Sequence, residues 1–341
     1  MLVVSHASSF YGMARSTHDV DLVIDLDSNK ILELLSRIDL NRYYLSESAL
    51  REGRMANLID LKTGDKVDCF ILGLDPNDRL AFSRRRIETI LGNDIFVATA
   101  DDTILAKMRW GEMIGGSNQQ QLDITEIFKL QNEILDFEYL QTQASITGLV
   151  NILKGTSMIY EKLENQIAMK TEAGREAIEV WYRVQKRLTG VQKVVKSFEL
   201  TELTRQTMRA GIRKRYPDAT ETKIQEIYVD RLLSFHGTSV QEIRRKQRNK
   251  PPRSSVRHPS ATLEEYNVGT AAQPKAISRI RNRSVLCLSP SKRRTRPFLK
   301  SLHLAGSQDR RRVNIDDVLN VVRIATRHCN RNRDSMLLKR T

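Results

Sequence analysis

Short apolar runs alternate with polar turns through the first 100 residues, and this pattern predicts an α/β (α+β) fold. Runs of mainly apolar residues predict strands at 20–25, 55–61, 67–71 and 95–97. Residues 30–38 carry apolar positions at helical spacing, so we expect a helix after the first strand. Thr63, Gly64 and Asp65 separate two strand runs and therefore predict a hairpin.

The pattern becomes helical after residue 99. A helix capped by Asp101 or Asp102 is expected to end at Gly115 and Gly116, which interrupt the helical spacing. Further helices are expected over 122–130, 135–153, 178–188 and 191–208, and one more from a capping box at 218–221 to about residue 233. Residues 246–300 have no sustained periodicity, which is typical of poorly ordered chain, and a short helix is expected over 313–325.

These shifts in pattern predict three regions. Residues 1–155 form the α/β domain with a mixed sheet and flanking helices, and residues 156–240 form a helical module that we interpret as structural. Residues 241–341 form a basic, largely disordered tail. The net charge of +15 belongs to that tail, because residues 246–341 hold 23 Lys and Arg against 6 Asp and Glu. An electrostatic argument for nucleic-acid binding therefore concerns the tail alone.

Composition also bears on the location of the protein. Cys69, Cys287 and Cys329 are scattered without a metal-ligand spacing, which favours a reduced, cytoplasmic compartment. No apolar run approaches the roughly 18 to 20 residues that a membrane-spanning helix needs, so we expect no membrane association.

The most informative chemistry is a pair of aspartates in an apolar strand. Asp19 and Asp21 are two residues apart, so both carboxylates point to one face of a strand. Asp68 is a lone acid in a second apolar run. Three carboxylates on adjacent strands repel one another unless a divalent cation lies between them, and hard oxygen ligands suit Mg²⁺. The alternative is that these acids lie on a solvated face and that Asp19 ends a turn.

A longer block around this pair resembles a known family. Residues 7–23 read Ala-Ser-Ser-Phe-Tyr-Gly-Met-Ala-Arg-Ser-Thr-His-Asp-Val-Asp-Leu-Val, and the lone Asp68 and the block 101–107 follow in order. The arrangement resembles the minimal nucleotidyltransferases of the DNA polymerase beta superfamily, especially the AbiEii-toxin-like branch. The resemblance covers about residues 3–150. It implies a nucleotidyltransferase fold whose small-residue motif opens a helix before an Asp-x-Asp strand.

The resemblance also implies the roles of the acids. Asp19 and Asp21 would bind catalytic Mg²⁺ and the phosphates of a nucleoside triphosphate. Asp68 would bind the metal and orient or deprotonate the acceptor hydroxyl. The implied reaction is in-line attack on the α-phosphate with release of pyrophosphate. The acceptor would be RNA or protein, and an antitoxin protein is an implied partner.

Five further residues are carried over as nucleotide-binding candidates. Ser5, with Ser8 or Ser9 at a helix N-terminus, would meet the triphosphate, where backbone N–H groups favour anions. Arg15 would reach a phosphate. Lys107 would contact phosphate or substrate, and its alternative is an ordinary solvated helix lysine.

The chain differs from the family pattern at two places. Val4-Ser5 stands where relatives have Gly-Ser, and 119–123 reads Gln-Gln-Gln-Leu-Asp where many have Arg-Gln-x-Arg-Asp. Two other functions therefore stay open. One is a catalytically degenerate nucleotidyltransferase fold that only binds a nucleotide or nucleic acid, and the other is nucleic-acid binding through the basic tail.

Overall fold

A computed structural model describes residues 1–155 and 171–248 of the chain. The described strands are β1 (Asp19–Ile24), β2 (Tyr43–Leu45), β3 (Met55–Asp60), β4 (Lys66–Ile71), β5 (Arg86–Ile90) and β6 (Asn93–Val97). The described helices of the first region are α1 (Val4–Tyr11), α2 (Ile31–Ser36), α3 (Glu47–Arg51), α4 (Pro76–Ser83), α5 (Ala100–Met113), α6 (Asn118–Gln131) and α7 (Phe137–Ile146). Those of the second region are α8 (Glu172–Arg187), α9 (Gly190–Arg215), α10 (Glu221–Phe235) and α11 (Val240–Arg248). Both described ranges belong to one compact unit.

The strands form a mixed sheet with the order β1-β4-β3-β2, and β5 pairs with β6 in a separate hairpin. β1 runs parallel to β4, whereas β3 is antiparallel to both β4 and β2. The predicted hairpin is confirmed, because β3 and β4 are antiparallel neighbours joined by a short turn. In that turn Gly64 takes a φ of 79°, which favours glycine. This mixed sheet with flanking helices confirms the predicted α+β class.

The sheet packs its apolar face against the helices of the first region. Val20, Leu22 and Ile24 of β1 are buried as predicted, and the Cys69 thiol of β4 is buried among them. They share one hydrophobic cluster with residues of α1, α5 and α6. A smaller cluster on the other side of β3 joins Ile59 to α10 and α11. The second region is therefore packed directly on the sheet.

Several predicted boundaries need correction. The strands β2 and β5 were not predicted. Thr99, rather than Asp101 or Asp102, caps α5, because its hydroxyl accepts from the Asp102 backbone N–H. The helix expected over 135–153 is interrupted at Gly148, which has a φ of 77°.

The second region extends past its expected end at residue 240. α11 covers Val240–Arg248 and buries Ile243 at 1 % exposure, so the first residues of the predicted tail are helical. The helix expected over 313–325, the rest of the tail and residues 156–170 lie outside the described residues. Among the described helices, none combines the length and apolar character that crossing a membrane would need.

Candidate metal and nucleotide site

The register between β1 and β4 brings the three predicted acids together. Asp21 lies directly opposite Asp68, and Asp19 lies opposite Lys66. Because side chains on a strand alternate faces, Asp19, Asp21 and Asp68 all project from one side of the sheet. One carboxylate oxygen of each lies within 4.8 Å of the others. The sequence prediction that these acids converge is therefore confirmed.

Burial separates this cluster from an ordinary solvated face. Asp21 and Asp68 are each only 7 % exposed, while Asp19 is partly open and accepts from the Thr17 hydroxyl at 3.2 Å. Burial raises the pKa of Asp21 to about 7, and the carboxylates of Asp19 and Asp68 add to that rise. Burial also raises the pKa of Asp68, against the opposing influence of Lys66. The cluster carries more negative charge than its surroundings stabilise.

Lys66 supplies the positive charge nearest to the cluster. Its Nζ lies 2.7 Å from Asp68 Oδ2 and 4.0 Å from Asp19 Oδ2. The lysine and Asp68 are two residues apart on β4 and so share a face. The sequence held this signal in Lys66-Val67-Asp68, but we did not predict a role for Lys66.

The donor set fits a hard divalent cation. Asp68 Oδ1 is buried and has no hydrogen-bond partner among the described residues. An unpartnered buried carboxylate oxygen is costly, and a cation beside it would remove that cost. All three converging ligands are carboxylate oxygens, which suit Mg²⁺ better than a thiophilic metal.

The segment before the acids has a strained start. Val4 opens α1 with a φ of 48°, a left-handed conformation that favours glycine and is unusual for a β-branched residue. This is the position at which the resembling family has the glycine of its Gly-Ser pair. The Ser5 backbone N–H, one residue later, favours the Asp21 carboxylate and so lowers its pKa against the effect of burial. The Val3 N–H donates to the Asp21 carbonyl at 3.1 Å, so the start of α1 is held to β1 beside the acidic cluster.

Three of the five nucleotide-binding candidates contact one buried carboxylate, that of Asp123 in α6, and a fourth is joined to it through Arg15. The Lys107 Nζ donates to Asp123 at 2.6 Å, and Arg15 donates to both of its oxygens at 3.0 and 3.1 Å. The Ser8 hydroxyl lies 3.4 Å from Asp123, and Ser5 Oγ accepts from Arg15 at 3.0 Å. The alternative of a solvated Lys107 is wrong, because the residue is only 1 % exposed.

Ser9 lies apart from this network. Its hydroxyl is buried without a hydrogen-bond partner among the described residues, and no contact brings it to Asp123. Asp123, which accepts the hydrogen bonds of this network, was not predicted as a functional residue. Its sequence signal was its place at the end of the run in which the resembling family often carries Arg-Gln-x-Arg-Asp.

A cleft opens beside Asp19 and is bounded on its other side by α9. His6, Thr17 and Lys66 line it from the first region, and Phe198, Thr201 and Arg205 line it from α9. The His6 ring is 1 % exposed, and neither of its nitrogens has a hydrogen-bond partner among the described residues. Burial lowers the pKa of His6 to about 4. His6 therefore brings a neutral imidazole to the wall of the cleft at neutral pH.

Comparison with known proteins concerns the second region. A family model described as Rv0078B-related antitoxin matches residues 186–255. The match covers about a fifth of the chain and includes α9, α10 and α11. No curated protein matches the chain.

Proposed function

We propose that this protein is a Mg²⁺-dependent nucleotidyltransferase that moves a nucleoside monophosphate from a nucleoside triphosphate to an acceptor hydroxyl on RNA or protein. The observation that carries the proposal is the convergence of Asp19, Asp21 and Asp68, whose carboxylate oxygens lie within 4.8 Å of one another. Buried carboxylates at this spacing are unfavourable in a purely structural role. A cytoplasmic location is part of the same proposal.

The three aspartates have separate roles in the proposed reaction. Asp19, Asp21 and Asp68 would hold Mg²⁺, which when bound neutralises phosphate charge and positions the reactants. The acceptor oxygen forms a bond to the α-phosphorus, the bond from that phosphorus to the β-phosphate bridging oxygen breaks, and pyrophosphate leaves. Asp68, as a ligand of that cation, would lie beside the acceptor hydroxyl and would orient it or take its proton.

The network around Asp123 has a supporting role in this proposal. Among the nucleotide-binding candidates in that network, Arg15 has a partly open side chain, at 27 % exposure, and its guanidinium could turn toward a phosphate. Lys107 is buried in its contacts with Asp123 and Gln120. We therefore assign Lys107 to holding α5 and α6 together beneath the site rather than to contacting substrate.

We also propose that the second region is antitoxin-like. The family match over residues 186–255 supports this assignment. Joined to a region that resembles AbiEii-type toxins, it suggests a toxin–antitoxin system in which both parts share one chain. This arrangement differs from the separate antitoxin partner that the sequence resemblance implies.

One observation favours a second candidate, the catalytically degenerate fold. The Lys66 ammonium contacts Asp68, so part of the neutralisation that a metal would provide is already present. A nucleotide- or nucleic-acid-binding module needs no metal, and its ligand binding would persist without one.

The test begins with Mn²⁺ binding to the full chain, measured by electron paramagnetic resonance. Asp68→Asn should weaken binding at least tenfold, while Asp25→Asn, a matched change just after β1 and outside the cluster, should leave it unchanged. Transfer is then measured with each α-³²P-labelled nucleoside triphosphate, total RNA and lysate protein. Label that reaches RNA or protein and is lost in Asp68→Asn supports the enzyme. Nucleotide binding that is the same with and without the metal, and the same in Asp68→Asn as in wild type, supports the degenerate module.

A further inference from the structure

α9 lines the cleft beside Asp19, and the end of α10 contacts His18 next to that aspartate. We propose that residues 186–248 are a built-in cover for this site, docked on the surface formed by His6, 15–18, Asp65 and Lys66. The cover must shift before a nucleoside triphosphate reaches Asp19. This inference rests on the proposed nucleotidyltransferase function and concerns the regulation of that same site.

The first contacts join α9 to the backbone that leads into β1. The Ser197 hydroxyl donates to the Arg15 carbonyl at 2.6 Å. The Thr201 hydroxyl accepts from the Thr17 N–H at 3.1 Å and lies 3.3 Å from the Thr17 carbonyl. These hydroxyls satisfy backbone groups of Arg15 and Thr17 in the segment that leads to Asp19, so α9 fixes the edge of the site.

Charged and aromatic contacts close the sides of the cleft. Arg205 is 8 % exposed and forms an ion pair with Asp65, at the turn that precedes β4. The Phe198 ring lies 4.9 Å from the ring of His6. At the end of α10, Phe235 stacks on His18 at 5.4 Å. The second region thus contacts His6 and His18, which precede Asp19 in the chain, and Asp65, which precedes the neighbouring strand β4.

The beginning of α9 approaches the first region too closely for a side chain. A Cβ added to Gly190 would lie 2.3 Å from the ring of Phe10 in α1. A residue with a Cβ would require the Phe10 ring to move, so glycine suits this close approach of α9 to the helix that starts at the acidic cluster.

The space left beside Asp19 is limited for the proposed substrate. The cleft holds about 310 Å³, part of which is its open mouth, so the enclosed part is below the roughly 300 to 1,000 Å³ of sites for drug-sized ligands. Asp21 and Asp68 are 7 % exposed in this arrangement. A nucleoside triphosphate, with its large hydration shell and several charges, would have to displace α9 to bind the cluster.

The experiment uses the full chain and one charge reversal. Arg205→Glu places a carboxylate beside Asp65 and should loosen α9 from the first region. Arg213→Glu makes the same charge change on α9, but Arg213 pairs with Glu221 inside the second region, so it serves as the matched control. Thr201→Val removes the hydrogen bonds to Thr17 without a charge change and replaces Arg205→Glu if that chain does not fold.

Two measurements are made on each chain. Hydroxyl-radical footprinting of His6 and Phe235 reports whether the cover has opened. Binding of a fluorescent ATP analogue in the presence of Mn²⁺ reports access to the site. We expect Arg205→Glu to increase oxidation at His6 and to bind the analogue at least tenfold more tightly than wild type, with Arg213→Glu unchanged. The charge swap Asp65→Arg with Arg205→Glu should restore the wild-type values.

The outcomes separate the two proposals. If the opened chain binds the analogue no more tightly than wild type, and wild type binds it in a Mn²⁺- and Asp68-dependent way, the cover is overturned and the nucleotidyltransferase stands. If oxidation at His6 does not change in Arg205→Glu or Thr201→Val, these contacts do not hold a cover and the inference is also overturned. If the chain opens and still binds neither Mn²⁺ nor the analogue, the proposed function fails, and the cover fails with it.

Discussion

Lys107 Nζ lies 2.6 Å from Asp123 Oδ2, and both side chains are at most 2 % exposed. The pair joins α5 to α6 directly behind the acidic cluster. Burial lowers the pKa of Lys107, and the neighbouring Asp123 opposes that shift. Burial also disfavours the Asp123 carboxylate, yet Lys107 and Arg15 together hold its pKa below the usual range. Each charge is tolerated because the other is present.

Lys107→Met should therefore destabilise the chain even though methionine fills much of the same space. Breaking a buried pair costs about 3 to 5 kcal/mol, and the remaining contacts of Asp123 with Arg15 and Gln119 favour the lower end of that range. Urea unfolding measures the loss. The double variant Lys107→Met with Asp123→Leu should recover part of the stability. A double variant as unstable as the sum of the singles would contradict a coupled pair.

Val4 should respond to substitution in an order opposite to helix propensity. Left-handed backbone costs a residue with a Cβ about 1 to 2 kcal/mol, and Val4 has a φ of 48°. Val4→Gly removes that strain while losing partly buried side-chain surface, so its free energy of unfolding should stay within about 1 kcal/mol of wild type. Val4→Ala loses surface and keeps the strain. Thermal unfolding should rank Gly above Ala, and the reverse order would show that the strain is absent in solution.

Lys66→Met should strengthen divalent-metal binding. The Lys66 ammonium contacts Asp68 and lies near Asp19, so it competes electrostatically with a cation for the same carboxylates. Removing it should tighten Mn²⁺ binding about tenfold, which corresponds to about 1.4 kcal/mol. Lys62→Met, a change on an exposed residue of the same hairpin, is the control. Weaker binding in Lys66→Met would mean that the lysine supports the site instead.

The acidic cluster could be predicted from sequence because it depends on local rules. The two-residue period of a strand places Asp19 and Asp21 on one face, and a third acid in an apolar run predicts a neighbouring strand. β5 was not predicted because its five residues include charged and polar side chains, and only Ile90 at its end is buried. A two-residue turn at Leu91 and Gly92, both with positive φ, joins it to β6, and that turn was not predicted.

The network around Asp123 could not be predicted because it depends on how the helices pack. Its partners Ser8, Arg15 and Lys107 come from distant parts of the chain and meet only when α1, α5 and α6 pack. The contacts of Thr201 and Arg205 depend in the same way on the docking of α9. Periodicity predicts that α9 is a helix, but it does not predict the surface that the helix covers.

Glu126 should make stability depend on pH near neutrality. Burial raises the pKa of Glu126 to about 7 from an ordinary value of 4.5, and the nearby Asp123 carboxylate adds to the rise. The folded chain therefore binds this proton more tightly than the unfolded chain does. The resulting stabilisation is fully present below pH 4.5 and is lost as the pH rises to about 7.

Glu126→Gln, which resembles the protonated acid, should be more stable than wild type at pH 8 and close to it at pH 4.5. Each pKa unit corresponds to about 1.4 kcal/mol, and loss of the favourable charge beside Lys193 reduces the gain, so we expect about 1 to 2 kcal/mol. Urea unfolding at several pH values measures the difference, with Glu133→Gln on an exposed position as the control. Equal stability of Glu126→Gln and wild type at both pH values would show that the Glu126 carboxylate is solvated in the folded chain and that burial does not raise its pKa.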